Sequence, residues 1–159
     1  MKTTKGLLLM IGFCLVAFTG LKANSTHKEI TNNIFYAIRN VDYVSINVLL
    51  SDGVNTDTVD QEGNTPLMVA AEVGNPRIVD IILSHKPNVN KQNKQGDTAL
   101  MIAAKTGQME IVKKLTIHNA KISMHNKSGN TAVTLASKYG HKKIVCFFKE
   151  MRTQSALLK

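Results

Sequence analysis

The chain has 159 residues, 43% hydrophobic and 5% aromatic with no Trp, a composition that excludes an extended disordered chain and favours packed helices over a β-sandwich. Twenty Lys+Arg against eleven Asp+Glu leave a formal charge of +9. The two cysteines, Cys14 and Cys146, are too few for a disulfide scaffold or a zinc site.

Residues 1–23 read as an address. Lys2 and Lys5 precede an apolar run from Gly6 to Leu21, which gives way to the small and polar residues Lys22-Ala23-Asn24-Ser25. That order is the order of a secretory signal peptide, with cleavage placed after Ala23. The run is short for the roughly 20 residues that span a bilayer, and Gly12 and Thr19 interrupt it. An exported protein, periplasmic or secreted, is therefore expected. The alternative is a retained anchor that holds the protein at a membrane through residues 6–21. Cleavage would leave Cys146 as the one thiol, expected as a buried Cys on an apolar helix face. Asn24-Ser25-Thr26 and Asn126-Lys127-Ser128 match the glycosylation acceptor, which matters only in a eukaryotic secretory pathway.

The body repeats every 33 residues. Gly63, Gly96 and Gly129 keep that spacing, as do Thr65, Thr98 and Thr131; Ala70, Ala103 and Ala136; Gly74, Gly107 and Gly140; and Ile78, Ile111 and Ile144. In the unit from Asp60, Thr65 can cap a helix that opens at Pro66, where the fixed φ of proline suits the first helical position. Leu67, Ala70 and Ala71 form its apolar stripe, and Gly74 supplies the left-handed stop. Ile78, Val79, Ile81, Ile82 and Leu83 then mark a second helix that ends near Lys86-Pro87. Each unit is a helical hairpin with a projecting turn. One hairpin cannot bury its apolar face alone, so neighbours must stack.

These units resemble ankyrin repeats, and the resemblance covers Ile30 to Met151. The fold expected is an all-α solenoid of stacked helix-turn-helix units with projecting turns. Residues 24–151 divide into a degenerate N-terminal cap (24–59), repeats at 60–90 and 91–123, and a C-terminal repeat or cap at 124–151, followed by a tail at 152–159. In the cap, Ile30, Asn32 and Val41 replace the expected Gly, Thr and Gly. Met68, Met101 and Thr134 stand where the family carries His, so the turn-bracing bonds implied by that His are expected to be missing.

Charge divides between the halves. Asn24–Asn90 carries four Lys/Arg against eight Asp/Glu, net −4, whereas Lys91–Lys159 carries thirteen against three, net +10. In a linear stack the sequence halves are also the spatial halves, so an acidic end and a basic end are expected. The basic end suits an acidic protein partner, an anionic membrane surface, or simply a solvated surface. No aromatic platform is interleaved for nucleic acid, and none is expected to bind.

No catalytic constellation is legible. His27, His85, His118, His125 and His141 pair with no Cys or His at ligand spacing, and neither a G-x-S-x-G elbow nor a phosphate-cradling loop is present. No enzyme activity, metal or cofactor is expected. What the resemblance implies is a protein-interaction module that binds along a concave face. Its candidate contacts are the turn residues Gln61, Glu62, Asn64, Lys94, Gln95, Asp97, Lys127, Ser128 and Asn130, with Glu72, Lys105, Lys138 and Tyr139 at the ends of the first helices. Val73 and Thr106 lie beside them, and Val69, Ile102 and Leu135 are read as packing first. A monomer is expected. Two other readings stand: a dedicated accessory or inhibitor (immunity) protein of one exported enzyme or toxin, and a membrane-anchored structural protein.

Overall fold

The computed structural model describes residues 34–157. The signal segment, Cys14, His27 and the Asn24-Ser25-Thr26 motif lie outside the described residues. Eight helices follow in chain order among the described residues: α1 (34–39), α2 (Tyr43–Ser51), α3 (Pro66–Val73), α4 (Pro76–Ser84), α5 (Ala99–Thr106), α6 (Met109–Ile117), α7 (Ala132–Lys138) and α8 (Lys142–Leu157). The inner helices α3, α5 and α7 pack against one another in sequence along one layer, and the outer helices α2, α4, α6 and α8 stack along the other. This is the all-α repeat solenoid expected from the 33-residue period.

Local chemistry sets each helix start. Thr65, Thr98 and Thr131 sit at the N-caps of α3, α5 and α7, and each side chain accepts from the backbone N–H three residues on. Asp42 caps α2. Its carboxylate accepts from the Ser45 hydroxyl and from the backbone N–H groups of Ser45 and Val44, and these bonds hold its pKa below the ordinary carboxylate value.

The expected loss of turn bracing is only partly seen. The Thr134 hydroxyl accepts from the Thr131 backbone N–H at 2.8 Å, and the Met68 sulfur lies 3.4 Å from the Thr65 N–H. A hydroxyl three residues on reaches the same orphan donor that an imidazole would, and a thioether reaches it weakly.

The core runs the length of the stack. Ile38, Ile46, Leu67, Ile82, Leu100, Ile111, Leu115 and Phe148 are all buried. The small residues Ala70, Ala71, Ala103, Ala104 and Ala136 allow α3, α5 and α7 to lie close together. Among the described residues no buried side-chain nitrogen or oxygen lacks a hydrogen-bond partner.

Two features of the chain's C-terminal end depart from expectation. Helix α8 continues to Leu157, through Met151 and into the segment read as a tail, because no Gly or Pro interrupts it. Cys146 is exposed rather than buried. It occupies the register of Asp80 and Lys113, which are also exposed, so the sulfur sits on the solvent side of α8.

The first unit keeps the repeat's backbone without its glycine. Val41 stands in the register of Gly74 and adopts φ 57°, the left-handed region that a β-branched side chain resists. Val41→Gly is expected to raise the unfolding free energy by about 0.5–1 kcal/mol. Relief of the left-handed strain, about 1–2 kcal/mol, outweighs the added freedom of the unfolded chain. A urea melt with an unchanged m-value checks this, and a destabilised variant would mean that the valine contributes packing beyond its strain.

Candidate functional site: the turns and the inner-helix ends

Each projecting turn is folded around one side chain. The Asn93 amide oxygen accepts from the backbone N–H groups of Gln95 and Asp97, and Asn126 does the same for Ser128 and Asn130. In the first turn the carboxylate of Asp60 takes the N–H groups of Glu62 and Asn64. With the inside of the turn satisfied this way, its tip is left to project.

The same residues tie the turns to one another. Asn93 Nδ2 donates to Asn64 Oδ1 at 2.8 Å, and Asn126 Nδ2 donates to Asp97 Oδ1 at 2.7 Å. The Lys94 N–H donates to the Glu62 carbonyl and the Lys127 N–H to that of Gln95. Arg39 begins the row with a 3.2 Å bond to Asp60. From Asn93 onward the result is a ladder with one direction: a donor on each turn meets an acceptor on the turn before it.

This ladder sorts the sequence-predicted contacts. Gln61, Glu62, Lys94, Gln95, Lys127 and Ser128 are exposed at the tips. Asn64, Asp97 and Asn130 are half-buried, and the side-chain oxygens of Asn64 and Asp97 are engaged by the following turn. Asn130 stands one step beyond the last rung. Sequence reasoning assigned no role in the turns to Asp60, Asn93 or Asn126. Their signal was present, because an Asx three residues before the turn glycine recurs every 33 residues.

At the ends of the inner helices, Glu72, Lys105, Lys138 and Tyr139 are exposed. Three of them come together. The Lys105 and Lys138 ammonium groups lie 5.6 Å and 6.0 Å from the centre of the Tyr139 ring, within cation–π range. Lys105 comes from α5 and Tyr139 from the residue after α7, so the cluster spans two units. It is steadied by His141, whose Nε2 lies 2.9 Å from the Lys105 carbonyl. Val69 and Leu135 are buried and Ile102 is half-buried, as expected of packing positions.

The histidines at the ends of the outer helices have structural partners. The Nδ1 atoms of His85 and His118 lie 3.0 Å and 2.8 Å from the carbonyls of Ile81 and Lys114, where a ring N–H satisfies a helix end. Among the described residues no cluster of His, Cys, Asp or Glu could hold a metal ion, and no helix is long and apolar enough to cross a membrane.

The family described as ankyrin repeats (3 copies) matches the chain over residues 13–93, 34–126 and 68–155. No curated protein matches it.

Proposed function

Because the chain belongs to the ankyrin-repeat family, we propose that it is an exported, non-catalytic protein-binding module whose partner offers an acidic surface to the turn tips and inner-helix ends. The observation that carries this reading is the Lys105–Tyr139–Lys138 cluster. An aromatic ring flanked by two ammonium groups can cover apolar surface and meet carboxylates at once, and Tyr is enriched among residues that dominate binding. The cluster lies in the basic half of the stack, where Lys94 and Lys127 at the turn tips extend the same sign of charge. The acidic half would repel such a partner and so orient it. Export is supported by the basic, apolar and small-residue order of residues 1–23.

The test is affinity capture from the exported fraction of the native cell with the parent and with a Lys105→Glu/Lys138→Glu/Tyr139→Ala variant. One acidic protein should be retained by the parent in 1:1 ratio and lost from the variant, with a drop in affinity of at least about 30-fold, as expected for loss of a 2 kcal/mol anchor. Equal capture by both proteins overturns the assignment of the site.

A further inference from the structure

The exposed charges of the turns and the inner-helix ends follow one order in two separate rows. At the turn tips, the unit from Asp60 carries Glu62, the next unit Lys94 and the last Lys127. At the inner-helix ends, Glu72, Lys105 and Lys138 share one register of the 33-residue period. Both rows therefore run negative, positive, positive along the stack, and both reverse sign between the same two units. Arg39 holds the second register one unit earlier, and its 3.2 Å bond to Asp60 commits its charge within the chain.

All six side chains are exposed, and among the described residues none of them is in an ion pair. The outer helices differ. There Lys114 on α6 lies 2.9 Å from Asp80 on α4 and 3.6 Å from Glu110, so opposite charges meet across units. On the inner side, Glu72 and Lys105 have opposite charges in successive units, yet Lys105 turns to the Tyr139 ring of the following unit, 5.6 Å from its centre. The charges of this face are left for something other than the chain itself.

The geometry points to a partner that lays a helical segment of matching charge order along this face: a cationic stretch over Glu62 and Glu72, then acidic stretches over Lys94 with Lys105 and over Lys127 with Lys138. This rests on the protein-binding reading above and specifies the partner's chemistry. Packed helices lie about 8–10 Å apart, which sets the step from one unit to the next. Seven residues of α-helix advance about 10 Å and return to the same face, so one helix face can meet one row in three successive units. An extended strand covers that step in about three residues and turns successive contacts to opposite faces. The two rows lie toward opposite ends of the inner helices; α3 and α5 have eight residues each, about 12 Å, and a helix about 10–12 Å across spans that interval. The matched segment opposes all six charges, whereas a uniformly acidic one sets carboxylates against Glu62 and Glu72.

The probes are two alanine-rich helical peptides of three heptads and identical composition, with two Lys in one heptad and two Glu in each of the others. One peptide carries its Lys in a terminal heptad, the other in the middle heptad, so net charge is equal and only its order differs. Binding to the full chain as the cell processes it is read by fluorescence anisotropy at about 50 mM salt, where exposed charges are weakly screened. The terminal-Lys peptide should bind at least about fivefold tighter than its isomer, and Glu62→Gln/Glu72→Gln should bring the two within about twofold without moving the melting curve. Equal binding, tighter binding of the middle-Lys isomer, a preference that survives Glu62→Gln/Glu72→Gln, or no binding of either peptide up to about 1 mM overturns the proposal. Lys105→Gln/Lys138→Gln judges the site itself and should weaken the terminal-Lys peptide by at least about fivefold. If that variant weakens both peptides while the parent shows no preference between them, the site stands and the charge order falls. If it weakens neither, the site falls with it.

Discussion

Replacing Leu100 with Ala is expected to lower the unfolding free energy by about 3–5 kcal/mol, the upper part of the range for removing a buried leucine side chain. Leu100 is 1% exposed on α5, and α5 is packed between α3 and α7 in the middle of the stack. The flanking helices α3 and α7 are short and each is held at its start by a threonine cap, so they resist collapse into the vacated volume. In a solenoid the loss is felt twice, because a central unit carries the interfaces to both neighbours. The whole domain is expected to have about 5–15 kcal/mol of stability, so this single change removes a large share of it. Val133 holds the same register in the last unit and is only half-buried, so Val133→Ala should cost about 1 kcal/mol or less. Urea melts of the two variants check the comparison. A Leu100→Ala cost below about 1 kcal/mol would mean that the helix presents another face to the core.

The second large effect falls on a turn. Gly96→Ala is expected to cost about 2–4 kcal/mol, against about 1 kcal/mol for Gly129→Ala. Both glycines have left-handed backbones, with φ 80° and 74°, so both variants incur the penalty of a Cβ in that region. They differ in what the new atom meets. At Gly129 nothing lies within 4 Å, whereas at Gly96 a Cβ would stand 2.8 Å from the backbone nitrogen of Lys127 and 3.1 Å from the Cα of Asn126. Those are backbone atoms and cannot swing aside. The Lys127 N–H is also the donor to the Gln95 carbonyl, and Asn126 holds the next turn, so relieving the clash opens a rung of the ladder. Thermal melts of the two alanine variants measure the difference directly, and equal costs would show that the turns are not in contact as described.

Much of this was written locally. The caps at Thr65, Thr98 and Thr131, the left-handed stop at Gly74 and the apolar stripe through Ile78 and Ile82 each depend on residues within a few positions, and each repeats at 33. Repetition made the stack legible, because positions held to one type across units are the ones that must pack. The candidate contacts were less legible for the same reason. Variation between units marks Asn64 and Asp97 as free to differ, yet both are acceptors in the ladder, since an amide and a carboxylate offer the same oxygen to the next Asn. Met68 and Thr134 illustrate a second kind of shortfall. Pattern comparison flags the missing His, but only coordinates show that a sulfur and a hydroxyl occupy its place.

The amino-acid sequence by itself determined the unit, its period, the order of its two helices and the division of charge between the halves, because capping, turn chemistry and hydrophobic spacing act over a few residues. Only the tertiary structure decided which surfaces remain open. Lys105 and Tyr139 are 34 residues apart in the chain and meet because their units stack. Cys146 is exposed and Phe148 fully buried two positions on, because α6 and α7 pack against one side of α8 and leave the sulfur side to solvent. Tyr36, Val44 and Val48 carry apolar side chains like others in the repeat, and they stand exposed because burial is a property of neighbours, and among the described residues the first unit has a neighbour on one side alone.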